Sequence, residues 1–272
     1  MPARRPTKKL PRTPTEAVRR LVAGNRAFAL MAEKGARGET HVMEVDPQEL
    51  GFGLEPGRAP AQRPFAAVLG CSDARVPLEI VFQQRSNDVF VVRVAGNGIG
   101  LGGLGSFRYA AANFAPSLRL VVVLGHSHCG AVTAAVDAFL RPRNYLQLAG
   151  NMPLRSIVDS ILVSVRAASL ALERAHGPAV VRRKGYRDAL VETSVVVNAA
   201  WAAYSLAHEL EGSPLGVVYG RYDIATGRLG VPQRGRADGE ALVAAPRDDA
   251  DFRRLGERVV RSAEIRARLA AR

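Results

Sequence analysis

Two short runs hold the residues best suited to chemistry: Gly70-Cys71-Ser72-Asp73-Ala74-Arg75 and Gly125-His126-Ser127-His128-Cys129-Gly130. The chain has two cysteines in 272 residues, and one lies in each run. Two thiolates and one imidazole, from Cys71, Cys129 and His126, are soft or borderline donors for Zn²⁺ and leave a fourth tetrahedral position open. Three protein ligands and one open position describe a catalytic zinc site rather than a closed structural one. Free cysteines are more commonly small buried hydrophobes, and a single cysteine pair is a weak disulfide signal. Asp73 and Arg75, two and four residues beyond Cys71, shift the balance toward metal. A carboxylate and a guanidinium there form a charge-assisted pair whose remaining oxygen faces the metal site. On an ordinary surface the same pair would contribute only about 0–1 kcal/mol. His128 is a second histidine within reach of the same site.

Each run needs an element that delivers it. Phe65-Ala66-Ala67-Val68-Leu69 and Leu120-Val121-Val122-Val123-Leu124 read as buried strands directly before the two runs. Parallel strands end at one edge of a sheet, so their C-terminal ends bring distant residues side by side. Strands are predicted near 65–69, 89–94, 119–124 and 214–219, and helices near 74–84, 104–114, 129–140, 153–175 and 185–211. This alternation predicts an α/β fold with a mainly parallel central sheet flanked by helices. Thr13-Pro14-Thr15-Glu16 is a capping box with proline at the first helical position, and the stripe Val18, Leu21, Val22, Asn25 and Phe28 continues that helix. Residues 36–63 read as loop, and Thr226-Gly227 as a turn.

The runs Cys-Ser-Asp-x-Arg and His-x-x-Cys-Gly resemble those of the β-class carbonic anhydrases. Gln62-Arg63-Pro64, Asp88-Val89-Phe90-Val91-Val92-Arg93, Tyr222-Asp223-Ile224-Ala225-Thr226-Gly227 and Ala23-Gly24-Asn25-Arg26-Ala27-Phe28 extend the likeness over roughly residues 13–230, in order. The resemblance implies reversible hydration of CO2 to bicarbonate and a proton by zinc-bound hydroxide, with Cys71, His126 and Cys129 as ligands. It selects His126 over His128 through the spacing His-x-x-Cys. It implies that Asp73 accepts a hydrogen bond from the hydroxide while Arg75 holds the carboxylate, and that Asp73 can turn onto zinc in a closed state. Gln62 matches a glutamine that bonds substrate oxygen across a subunit interface. Phe90 matches an apolar residue of the pocket, although on burial grounds alone plain core packing is the better account of it. Gly130 leaves room for its N–H to approach the reacting oxygen. Some members carry tryptophan three residues before the first cysteine, as part of a regulatory bicarbonate pocket, whereas Val68 stands there in this chain. The resemblance also implies a homodimer or higher assembly. A hydrolase of COS or CS2 on the same ligands is the alternative activity, and a non-catalytic zinc-binding or partner-binding protein is the alternative of another class.

A nucleotide site is the rival suggested by Gly98-Ile99-Gly100-Leu101-Gly102-Gly103, which satisfies G-x-G-x-x-G. The acidic residue that should end the next strand is replaced by Leu124-Gly125-His126. The glycines then read more simply as a tight turn beside the metal pocket.

The formal charge of +13 suits solubility, attraction of bicarbonate, or docking of an acidic protein partner through a basic arm at residues 1–12. No base-reading motif accompanies it, so no nucleic-acid function is expected. No apolar run approaches the roughly 20 residues of a membrane span, and no apolar segment follows the basic opening, so neither membrane nor secretory signal is expected. Two reduced cysteines favour the cytoplasm. The expected organisation is a flexible basic arm (1–12), a catalytic domain (13–230) and a charged, partly helical extension (231–272). Within the extension Phe252, Leu255, Val259 and Ile265 form a partial apolar stripe, suited to a neighbouring subunit, another partner, or the chain's own domain.

Overall fold

The computed structural model describes residues 9–35, 37–38, 47, 57–148, 150–233 and 236–271. Most of the expected basic arm and most of the 36–63 loop lie outside the described residues. Strands β1 (Ala66–Gly70), β2 (Val89–Arg93), β3 (Leu120–His126) and β4 (Gly216–Tyr222) run parallel in the order β2-β1-β3-β4. All of β1 and β3 is buried, which explains their unbroken apolar sequences. Their registers align Gly70 with Leu124, so Cys71 and His126 emerge at the same sheet edge.

One face of the sheet carries α1 (Pro14–Gly35) and the single turn α2 (Leu78–Val81). Glu16 N–H donates to Thr13 Oγ1 at 3.2 Å, so the capping residue acts as expected. The Glu16 carboxylate instead accepts from Arg12 N–H, one residue earlier than a reciprocal box requires. The opposite face carries α4 (Gly130–Leu140), α6 (Met152–His176) and α7 (Tyr186–Glu209), with α3 (Leu101–Asn113) near β2 and the short α5 (Pro142–Leu148) after α4. Helix α7 is long and apolar enough to cross a membrane by length and composition, contrary to the expectation from apolar runs. Most of it is buried in the core, which accounts for its composition.

Two local expectations fail for identifiable reasons. The helix expected over 74–84 shrinks to Leu78–Val81. Pro77 has no N–H and disfavours helical backbone at Val76, while a turn closes from Val76 N–H to Asp73 C=O at 3.0 Å. The tight turn expected from the glycine run falls one step earlier, at Gly96 (φ 64°) and Asn97 (φ 44°). No glycine from Gly98 to Gly103 has positive φ, and α3 begins inside the run.

Beyond residue 230 the chain forms the hairpin β5 (Val231–Gln233) and β6 (Arg236–Glu240), then β7 (Val243–Ala244), antiparallel to β4. Helices α8 (Asp249–Val260) and α9 (Ala263–Ala270) follow, split where Ser262 begins a new cap. Leu255, Val259, Val260, Ile265 and Leu269 are buried in the same core cluster as the α6 and α7 side chains. The apolar stripe of the extension therefore packs on its own chain.

Candidate metal centre

Cys71 leaves β1, His126 ends β3, and Cys129 caps the N-terminus of α4. All three are buried, and their ligand atoms lie within 4.8 Å of one another. His126 Nδ1 lies 3.0 Å from the carbonyl of Ser127, which accepts its proton and turns Nε2 toward the sulfurs as a bare lone pair. That Nε2 is fully buried and has no hydrogen-bond partner. A buried acceptor without a partner is costly, and a cation between two sulfurs and this nitrogen removes the cost. The donor set and the orphaned nitrogen fit zinc.

The sulfurs are inequivalent. Cys71 is pulled down to about 3, first by the hydrogen bond from the Cys129 thiol, against the opposing effect of burial. The N–H groups of Asp73 and Gly96 add to the lowering, the last at 3.3 Å. Cys129 is pushed up, because it gives its proton toward Cys71 and is buried, although the N–H groups of Val132 and Ala131 pull the other way. A divalent cation held by the two sulfurs would stabilise both thiolates and so remove this asymmetry.

Asp73 stands beside the three ligands. Its Oδ2 is 4.0 Å from His126 Nε2, and Arg75 grips both carboxylate oxygens, with Nε 3.0 Å from Oδ1 and Nη2 2.7 Å from Oδ2. Arg75 N–H adds a third bond at 2.9 Å. These donors hold the carboxyl well below the usual carboxylate range. Held in this way, the carboxylate lies with Arg75 rather than among the ligand atoms.

Several supports had no assigned role in the sequence. Arg93, at the end of β2, donates to the carbonyls of Cys71 (3.0 Å) and Asp73 (2.5 Å), pinning the loop that carries both. A basic residue closing a strand next to the first ligand strand was the available signal. Gly96 is required twice: its φ is positive, and a Cβ there would sit 2.7 Å from Ile161 Cδ1. Asn198 Nδ2 fixes the carbonyl of Gly96 at 2.8 Å.

The remaining expected residues separate. His128 is exposed, has φ 55° and is not in the ligand group. Gly130, the first residue of α4, is exposed with open space where a Cβ would project. Gln62 and Phe90 come together in one cavity of about 330 Å³, with Pro60, Pro64, Ser86, Asn87 and Val89. None of the three ligands, nor Asp73, lines that cavity. Phe90 also packs on Phe114, with ring centroids 5.8 Å apart.

Residues 66–229 match the family described as carbonic anhydrase. The chain belongs to the carbonic anhydrase family, in its β class. It is 37% identical over 172 residues to carbonic anhydrase 2 of Mycobacterium tuberculosis (strain CDC 1551 / Oshkosh), covering 63% of this chain and 76% of that protein. A carbonic anhydrase of Mycolicibacterium smegmatis is 34% identical over 172 residues, covering 62% of this chain and 75% of that one. Among solved structures, the Coccomyxa β-carbonic anhydrase in complex with acetazolamide superposes with a TM-score of 0.50 at 19% identity, over 75% of this chain and 82% of that chain. That likeness concerns the fold alone. As a carbonic anhydrase, the enzyme catalyses the hydration of CO2.

Proposed function

We propose that this carbonic anhydrase works on a zinc ion held by Cys71, His126 and Cys129, and that Asp73 and Arg75 orient the reacting water. The carrying observation is the buried, partnerless Nε2 of His126 facing two buried sulfurs. Bound zinc would acidify water toward a pKa of about 7 and so supply a nucleophile near neutral pH. Two thiolates lend the cation more charge than imidazoles do and oppose that acidification, which gives the neighbouring carboxylate its value. Asp73 Oδ2 accepts a hydrogen bond from the nucleophile and aims its lone pair at carbon, and Arg75 keeps that carboxylate charged and still. Arg93 and Gly96 hold the Cys71 loop so that sulfur and carboxylate keep their separation.

The same reading makes Gln62 a substrate contact across a subunit interface and Phe90 an apolar residue of the pocket; the cavity they share on their own chain is not lined by the candidate ligands. The N–H of Gly130 faces the reacting oxygen. The same reading includes a homodimer or higher assembly. A monomer by light scattering at micromolar concentration overturns the assembly. Two buried free thiols suit a reducing, cytoplasmic setting. Redox-probe fusions reporting an oxidising compartment would contradict that placement.

Stopped-flow CO2 hydration, with zinc quantified on the same sample between pH 6.5 and 9, tests the centre. Rapid hydration that requires about one zinc per chain supports it. Stoichiometric zinc with turnover of COS or CS2 but not of CO2 overturns it in favour of the related hydrolase.

A further inference from the structure

Helix α9 lies beyond the family-matched residues, yet it reaches the loop between two of the ligands through buried charges. Its docking is close: Ile265 and Leu269 are buried, and a Cβ on Gly185 would lie 1.9 Å from the carbonyl oxygen of Arg268. From this helix Glu264 accepts two bonds from Arg221 Nη1, at 2.9 and 2.8 Å. Arg221 sits on β4 opposite Gly125 of β3, and only 3% of it is exposed. The same Nη1 lies 3.7 Å from Glu192 Oε2. Glu192, on α7 and 1% exposed, accepts the backbone N–H of His128 on its other oxygen, Oε1, at 3.0 Å. His128 holds a left-handed backbone between His126 and Cys129, a conformation that persists only where its surroundings impose it. From the other side Ser127 Oγ accepts from Ile224 N–H at 3.0 Å.

We infer that Glu264, acting through Arg221 and Glu192, positions the ligand loop 126–129, so that the C-terminal helix is a working part of the metal centre. The inference rests on the reading of Cys71, His126 and Cys129 as that centre. Charge balance gives the mechanism. Glu192 faces Arg221 at 3.7 Å and Arg268 at 4.0 Å, neither in full ion-pair contact. Glu264 takes up both arginines, Arg221 at 2.8 Å and Arg268 at 3.3 Å, and so leaves Glu192 free to hold the His128 N–H. Without the Glu264 charge the carboxylates left near these arginines are Glu192 for both and the more exposed Asp223, 3.9 Å from Arg221 Nη2; the buried Glu192 is then drawn toward the guanidinium groups and off the loop. Glu192, Arg221 and Glu264 are positioning residues; none touches the ligand atoms.

The test compares Glu264→Gln with the parent enzyme, with Glu264→Asp as the conservative variant and Glu33→Gln as a control on an exposed pair with Arg228. Two readouts separate positioning from plain structural support: hydrogen exchange of the His128 amide, and the rate at which a chelator strips zinc. In Glu264→Gln the amide should exchange about tenfold faster than in the parent. Zinc should leave roughly 3- to 10-fold faster, below the about 10–100-fold typical of a direct partner of a ligand. Glu264→Asp should recover most of both changes, and Glu33→Gln should alter neither. Arg221→Lys keeps the charge but removes the Nη1 that gives both bonds to Glu264, and carries the same expectation should Glu264→Gln fold poorly. Unchanged amide exchange and zinc release in a folded variant would overturn the inference. A parent protein without zinc would instead refute the metal reading, while His128 exchange would still decide the role of Glu264.

Discussion

Two carboxylate–arginine arrangements flank the ligands, and they differ in almost every physical respect. Asp73–Arg75 is local, separated by two residues, and its guanidinium is 57% exposed. Glu192, Arg221 and Glu264 come from α7, β4 and α9; Arg221 and Glu264 are 43 residues apart in sequence, and Glu192 and Arg221 are almost wholly buried. The exposed pair gains little stability from its charges, because water already solvates them. The buried set is costlier to break, because Glu192 and Arg221 are shut away from water and depend on one another and on Glu264 for compensation. Proximity to the ligands therefore does not predict the cost of mutation. On the proposed reading the pair nearest the candidate ligands should matter for rate, and the more distant set for folding and for the shape of the loop 126–129.

The largest effect comes from removing what both arrangements serve. Cys129→Ala should lose zinc and CO2 hydration together, and a metal analysis beside stopped-flow kinetics checks both. Retained zinc at one per chain would show that Cys129 is not a ligand.

Next in size is the buried half. Arg221→Met leaves the buried Glu192 with Arg268, 4.0 Å away, as its remaining charged partner and should cost about 3–5 kcal/mol of folding stability. For a chain of this size that is a fall of about 10 °C in thermal midpoint, read by calorimetry. A change under 2 °C would mean that the buried carboxylates find other partners, and the contrast between the two arrangements would disappear.

The exposed half should show the opposite pattern. Asp73→Asn keeps shape and size but loses the charge, so zinc should stay while kcat drops by about 10–100-fold. Thermal unfolding of the same variant should stay close to that of the parent. Equal kcat in variant and parent would remove Asp73 from the mechanism.

The same contrast decides what was legible in the sequence. Apolar runs before Cys71 and His126 exposed β1 and β3, and two parallel strand ends are enough to bring those residues together. Asp73 and Arg75 were visible because their partners are neighbours in the chain. The helix expected over 74–84 failed at Pro77, a local signal outweighed in that reading by apolar periodicity. The turn at Gly96-Asn97 was displaced because a G-x-G-x-x-G pattern is satisfied equally by glycines inside a helix. Glu192 was hidden for a different reason: within a buried helix its carboxylate has meaning only once β4 and α9 are folded around it. Arg93 lay between these cases, with its position at a strand end readable and its two carbonyl partners not.

The smallest effect tests the sign of the local pair's electrostatics. Arg75 holds the Asp73 carboxyl below its ordinary range, so the folded state binds that proton less readily than the unfolded chain. The stability from this pair is therefore fully present above the unfolded carboxylate value of about 3.9, and is lost as pH falls through the lower folded value. With Arg75 57% exposed, solvent screens the pair, and its contribution at pH 7 should be small. Arg75→Ala should then lower stability only slightly between pH 5 and 8, evenly across that window. Its deficit should shrink only in acid, where the parent also protonates Asp73. Urea melts of both proteins at pH 7, 5 and 3 read the difference directly. A deficit that grows as pH falls would mean that Arg75 stabilises a protonated partner instead, and Asp73 would not be the charged acceptor that its contacts describe.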